Sequence, residues 1–257
     1  MDLLPVLDFR EVTLRFGGVT ALEEASFSVQ AGDIFAIIGP NGAGKTSIFN
    51  CINGVYKPQE GSILFEGREL IGERPINVAR RGIGRTFQNL GLFMNLDLID
   101  NLLLGRHLHM KTGFLTGALW WGRAKNEEIK NRQKIEVIID LLELQPHRYK
   151  PVGLLPYGIQ KRVELGRALA MEPRILLLDE PVAGMNFEET EDMARYILEI
   201  NNELGVSILL VEHDMAMVMD IADRVMALDF GQTIATGVPE DIQTNERVIA
   251  AYLGETL

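Results

Sequence analysis

The stretch that most constrains this chain is Gly39-Pro40-Asn41-Gly42-Ala43-Gly44-Lys45-Thr46, followed directly by Ser47. It fits the pattern G-x-x-x-x-G-K-[ST] at every fixed position. Before it runs Asp33-Ile34-Phe35-Ala36-Ile37-Ile38, short and apolar enough for a buried strand, and after it Ser47 to Ile52 reads as a helix that Asn53-Gly54 stops. In that strand–loop–helix setting the residue types have a chemical meaning. Glycines let successive backbone N–H groups curl around phosphate oxygens, and the helix N-terminus adds positive potential. Lys45 reaches outer phosphates and the Thr46 hydroxyl suits Mg²⁺. A nucleotide phosphate site follows.

Further along, Arg174-Ile175-Leu176-Leu177-Leu178-Asp179-Glu180 and Val206 to Val211 are near-continuous apolar runs of the kind buried in parallel sheets. Between them Asn186 caps a helix with Glu189 three residues on. Met193, Ile197, Ile200 and Leu204 form its apolar stripe, and Gly205 stops it. Strand, helix, strand at this spacing is a parallel crossover, which places the nucleotide at the carboxyl ends of the strands. The start of the chain has a different texture. Val6 to Arg15 alternates as a strand, Gly17-Gly18 turns it, and Ala25 to Val29 pairs back; Ser62-Phe65 and Gly82-Phe87 are further strands. From Asn89 to about Ala170 β signals are scarce, and Asn126 to Leu144 has helical spacing with Ile135, Ile138, Ile139 and Leu142 on one face. Within this part the apolar segment 113–121 is too short to span a membrane and reads as packing, a hairpin or a partner surface. Arg224 to Gly237 is a hairpin around Gly231, followed by a short terminal helix.

The expected fold is therefore α/β: a phosphate-loop NTPase core of mainly parallel sheet, with an antiparallel β subdomain and a helical subdomain. Residues 1–88 and 171–257 form the core with the β subdomain, and 89–170 the helical part. With 257 residues, 47% of them hydrophobic and 24% charged, the chain can bury a sizeable core. A net charge of -11 argues against a sequence-independent grip on nucleic acid or anionic lipid headgroups. Cys51 is the sole cysteine, which excludes an internal disulfide framework and suits a reducing compartment as a core residue. No signal-like start and no apolar run of the ~20 residues a spanning helix needs is present, so a cytoplasmic location is expected.

The apolar strand ending in Asp179-Glu180 supplies what the phosphate loop lacks. One carboxylate can serve Mg²⁺ and its neighbour can orient or deprotonate an attacking water. Gln88 and His213 each follow a predicted strand and can face the same crevice. Gln88 offers an amide to water or metal; His213 can donate to a γ-phosphate, steady the Glu180 side, or serve structure alone.

Taken in order, the phosphate loop, Thr86-Phe87-Gln88-Asn89, Leu155-Pro156-Tyr157-Gly158-Ile159-Gln160, Leu176 to Pro181, Ala183-Gly184-Met185-Asn186 and Glu212-His213-Asp214 resemble the motifs of an ATP-binding-cassette (ABC) transporter ATPase. More narrowly, Arg15-Phe16-Gly17-Gly18, Gly82 to Asn89 and Ala250 to Glu255 resemble the ATPase subunits of branched-chain amino acid importers. The resemblance implies that the loop from Gly39 to Ser47 binds ATP, Phe16 stacks on adenine, Gln88 links the γ-phosphate to the membrane partner, and Asp179 serves Mg²⁺. Glu180 is then the general base and His213 the switch histidine. It implies two ATPase chains, a sister subunit or a second copy, sandwiching two nucleotides. The 155–160 segment, with Tyr157 and Gly158, completes the site on the opposing chain. It also implies two membrane permeases received near 88–104, an extracytoplasmic solute-binding protein, and residence on the inner face of the membrane. A cassette ATPase acting on ribosomes or nucleic acid is the other class considered; a single cassette and an acidic chain speak against it.

The signature segment departs from the family pattern. Pro156 stands where a Ser usually bonds the partner's γ-phosphate, Tyr157 replaces the first Gly, and Ile159 a common Gln; Asn186 replaces an Asp. Pro156 removes a hydroxyl and an N–H, which predicts a site weaker by ~1 kcal/mol for one hydrogen bond.

Overall fold

The computed structural model describes residues 4–86, 90–109 and 123–253. In chain order the elements are β1 (Leu7–Phe16), β2 (Val19–Val29), β3 (Ile34–Ile38), α1 (Lys45–Ile52), β4 (Glu60–Phe65), β5 (Arg68–Glu69), α2 (Pro75–Arg80), β6 (Ile83–Arg85) and α3 (Leu98–Gly105). They continue with α4 (Arg123–Leu141), α5 (Tyr157–Leu169), β7 (Ile175–Asp179), α6 (Phe187–Leu204), β8 (Ser207–Val211), α7 (Met215–Ile221), β9 (Arg224–Asp229), β10 (Gln232–Gly237), α8 (Pro239–Gln243) and α9 (Glu246–Leu253).

Among the described residues the strands make two sheets, β2-β1-β4-β5 and β10-β9-β3-β8-β7-β6. The first is antiparallel. In the second, β3 pairs in parallel with β8 and β9, and β7 with β8 and β6, leaving β10 as an antiparallel edge. The period-2 rule explains why the central strands are apolar on both faces apart from their ends at Asp179 and Ser207. Ile34, Ala36, Ile38, Leu176, Leu178, Ile208 and Leu210 point into a core shared with the helices, including Leu102, Ile139 and Leu169. Phe35, Ile37, Ile175, Leu177, Leu209 and Val211 point the other way, into a core shared with α1 and the antiparallel sheet. Each strand thus walls two cores. The alternating strands at the start need only one.

Several boundaries differ from expectation for local reasons. β2 begins at Val19 rather than Ala25 because its first half carries exposed residues such as Val19, Thr20, Glu23 and Glu24, with Leu22 buried among them, so its alternation is faint. Bulges shift the register there, with Glu11 and Glu24 at positive φ. β6 spans Ile83–Arg85 and, among the described residues, is an edge strand paired with β7 alone. α4 stops at Leu141, and Glu143 at φ 51° turns the chain so that Leu144 still reaches the core. Its expected face, Ile135, Ile138, Ile139 and Leu142, is buried. α6 has the full capping box, with the Asn186 side chain accepting from Glu189 N and Glu189 accepting from Asn186 N, and Gly205 closes it at φ 65°. Cys51 lies in the core of α1, where burial pushes its thiol up to about 12. No helix of the described residues is long and apolar enough to cross a membrane. The apolar segment 113–121 lies outside the described residues.

Candidate active site

The loop from Gly39 to Gly44 joins β3 to α1, which opens with Lys45 and Thr46, at the carboxyl edge of the parallel sheet. Its glycines are there for space and for backbone angle. Gly39 sits at φ 151°, and a Cβ built on it would lie 2.0 Å from the Leu228 carbonyl oxygen; one on Gly44, at φ 108°, would lie 2.6 Å from that of Ala21. Gly231 N–H, in the β9–β10 turn, donates to the Ala43 carbonyl at 2.8 Å. The loop is pressed against β2 and β9 on its inner side, while Asn41, Gly42 and Thr46 are exposed on the outer side, with Ser47 half-buried. No side chain caps α1, which leaves its first N–H groups available to an anion. Lys45 is buried, and its Nζ donates to the carbonyls of Gly39 at 2.5 Å and Pro40 at 2.8 Å, folded back over the loop it serves.

The ends of β7 and β8 meet the loop from beside it. Asp179 pairs with Val211 in the sheet, and Glu180 N–H donates to the Val211 carbonyl at 2.8 Å. That register sets Glu180 beside His213, whose Nε2 lies 3.0 Å from Glu180 Oε1. Glu180 adopts φ 50°, an uncommon angle for a residue with a side chain and one that clusters at functional sites. Asp179 is 2% exposed and takes the Thr86 hydroxyl as acceptor for its backbone N–H at 3.3 Å.

Two residues here escaped the sequence reading as agents in their own right. Arg85, read only as part of a motif, donates to Asp179 Oδ2 and to Asn50 Oδ1, each at 2.8 Å, and its guanidinium lies 5.4 Å from the Phe49 ring centroid. It ties the carboxylate to α1. Glu212, 3% exposed, accepts from Val182 N–H on one oxygen, and from His213 N–H and Asp214 N–H on the other. It clamps the turn after Glu180 to the turn carrying His213. A buried acid flanked by a polar pair after an apolar strand is the signal that could have found it. Asp214 completes this corner by capping α7 through Met217 N–H.

The remaining expected residues stand further out. Phe16, at the end of β1, is 47% exposed and meets Tyr56 edge-on at 5.0 Å between centroids. Gln88 lies outside the described residues. Pro156 precedes α5 and offers no side-chain cap, so the segment starts its helix on the backbone alone. Tyr157 is exposed at the helix start, while Gly158 is buried against the α6 cap: a Cβ there would come 2.4 Å from Glu189 Oε1.

The arrangement can hold a nucleoside triphosphate by its phosphates. The outer side of the loop, where Asn41, Gly42 and Thr46 stand exposed, is open to phosphate oxygens. Thr46 and Asp179 supply hard oxygens of the kind Mg²⁺ takes.

Comparison with known proteins agrees. The model of the ABC transporter family matches residues 22–183, and that of the branched-chain amino acid ATP-binding cassette transporter matches 232–256. The chain is 39% identical over 251 residues to the high-affinity branched-chain amino acid transport ATP-binding protein BraF of Pseudomonas aeruginosa, covering 98% of each chain. The same figures hold for the corresponding protein LivG of Escherichia coli. Among solved structures, the ADP conformation of an ATP-binding cassette of an ABC transporter is 30% identical with a TM-score of 0.85, covering 98% of this chain and 100% of that one.

Proposed function

The chain belongs to the ABC transporter family, and we propose that it is the ATP-hydrolysing subunit of an importer for branched-chain or related amino acids and small organic solutes. The observation that carries the chemistry is the 3.0 Å approach of Glu180 and His213 on adjoining strand ends beside a phosphate loop. In this reading the N–H groups of Gly42 to Ser47 hold the β- and γ-phosphates, and Lys45 turns from its loop carbonyls to the outer phosphates. Glu180 takes a proton from a water whose oxygen attacks the γ-phosphorus; the bond to the β–γ bridging oxygen breaks and ADP leaves. His213 steadies Glu180 and donates toward the γ-phosphate. Thr46, Gln88 and Asp179 would hold Mg²⁺, which would supply charge neutralisation at the phosphate oxygens. Phe16 offers its exposed ring to adenine.

Two such cassettes, this chain with a sister subunit or a second copy, would enclose two nucleotides, with Tyr157 and Gly158 completing the opposing site. The helical part 89–170 then acts as a subdomain between that seam and the permeases. Its receiving face is apolar: Phe93, Met94, Leu96 and Leu154 are exposed, and backbone bonds from Val152 to Leu96 and Gly153 to Met94 join them into one patch. A peripheral position on the inner membrane face, opposite an extracytoplasmic solute-binding protein, follows from these partners. Likeness along nearly the whole chain to transport ATP-binding proteins favours this over action on ribosomes or nucleic acid.

Affinity purification of the chain from native membranes in mild detergent tests the proposal. Two multi-span permeases and a sister ATPase are the expected co-purified proteins; ribosomes or nucleic acid in their place would overturn it. The signature departure gives a second prediction. Pro156→Ser restores a hydroxyl and an N–H facing the partner's nucleotide, and should lower the ATP concentration for half-maximal sandwich formation ~5-fold, for about 1 kcal/mol of one hydrogen bond. Light scattering during an ATP titration reads it, and an unchanged midpoint sinks the idea.

A further inference from the structure

Lys161 is a buried lysine that the proposed chemistry leaves without a task. It is 3% exposed on α5, one turn beyond Tyr157 and on the same face. Desolvating an ammonium is unfavourable unless it finds partners. Its Nζ donates to the backbone carbonyl of Glu180 at 3.3 Å and lies 6.0 Å from the Tyr157 ring centroid. Tyr157 reaches the same turn further on: its hydroxyl donates to the Ala183 carbonyl at 3.2 Å, and a Cβ on Gly184 would meet its ring edge at 3.3 Å. Glu180 itself sits in the left-handed region at φ 50°, so the direction of its side chain depends on how that turn is held.

We propose that Lys161 is a positioning residue for Glu180, with α5 holding from outside the backbone turn from which the base projects. The inference rests on the reading of Glu180 as general base. It also gives the start of α5 two duties: completing the opposing nucleotide site and aiming the base of its own.

The test uses the full chain and compares Lys161→Met and Lys161→Arg with Glu180→Gln, measuring kcat, KM for ATP, ATP binding and thermal stability. Lys161→Met should lose at least ten-fold in kcat with ATP binding and KM within two-fold of the parent, and Lys161→Arg, which keeps a donor, should recover at least half the activity. A merely structural lysine would move stability and KM together. If the methionine variant does not fold, Lys161→Ala, which admits water where the ammonium stood, reads the same contrast; loss of folding in both assigns the lysine to the core and overturns the proposal. Parental turnover in Lys161→Met while Glu180→Gln is inactive also overturns it. Turnover retained by Glu180→Gln would instead overturn the assignment of the base.

Discussion

Glu180→Gln is expected to bind ATP as the parent does and to lose about 10²- to 10⁴-fold in turnover, the span that a positioned general base contributes. The amide keeps the size of the carboxylate and a contact with His213, so the corner at 3.0 Å survives. What it lacks is a proton acceptor for the water. Phosphate binding is untouched, because the N–H groups of the loop and Lys45 belong to other elements. With ATP bound and not hydrolysed, the closed pair of cassettes should accumulate. Single-turnover kinetics and gel filtration in ATP check both halves; turnover at the parental rate, or failure to bind ATP, would remove Glu180 from the role.

Gly39→Ala should do more damage than its size suggests. The new methyl would start 2.0 Å from the Leu228 carbonyl and 3.3 Å from Ala43 Cβ, at a φ of 151° that side chains rarely take. Leu228 is fully buried in β9, so no rotamer change relieves the collision and the loop must leave its place. Backbone strain alone is about 1–3 kcal/mol, which corresponds to a fall in Tm of roughly 2–12 °C for a chain of this size. ATP affinity should fall by ten-fold or more as the cradle distorts. Gly32→Ala, outside the phosphate loop, is the control: it has a φ of 85° but nothing within 4 Å of the added Cβ. It should bear strain without collision and keep the loop seated. Calorimetry and nucleotide titration of the two variants separate the effects, and equal behaviour would refute the close-approach argument.

Legibility in the sequence followed the reach of each signal. The parallel strands announce themselves because burial on both faces removes every polar residue, as in Leu176-Leu177-Leu178. The α6 helix was readable to the residue, since its cap and stop use side-chain chemistry that acts within four positions. Non-local pairings left no such trace. Nothing adjacent to Arg85 in the chain announces that its partner is Asp179, 94 positions away. Nor does the texture around Lys161 point to the Glu180 carbonyl, since that contact depends on where α5 lands. The early half of β2 was missed for the converse reason, because bulges and exposed residues blur the alternation that marks a strand.

Glu212 has a consequence for a site that works in cycles. In the proposed mechanism the bond between His213 and Glu180 loosens each time Glu180 turns to a water or His213 to a phosphate. Were it the sole fastening, each cycle would dismantle the site. Because the two oxygens of the Glu212 carboxylate grip Val182 N–H on one side and His213 and Asp214 N–H on the other, the two working side chains stay moored while their own contact opens and closes. On that mechanism the corner between Glu180 and His213 re-forms by side-chain rotation on a backbone that Glu212 already holds.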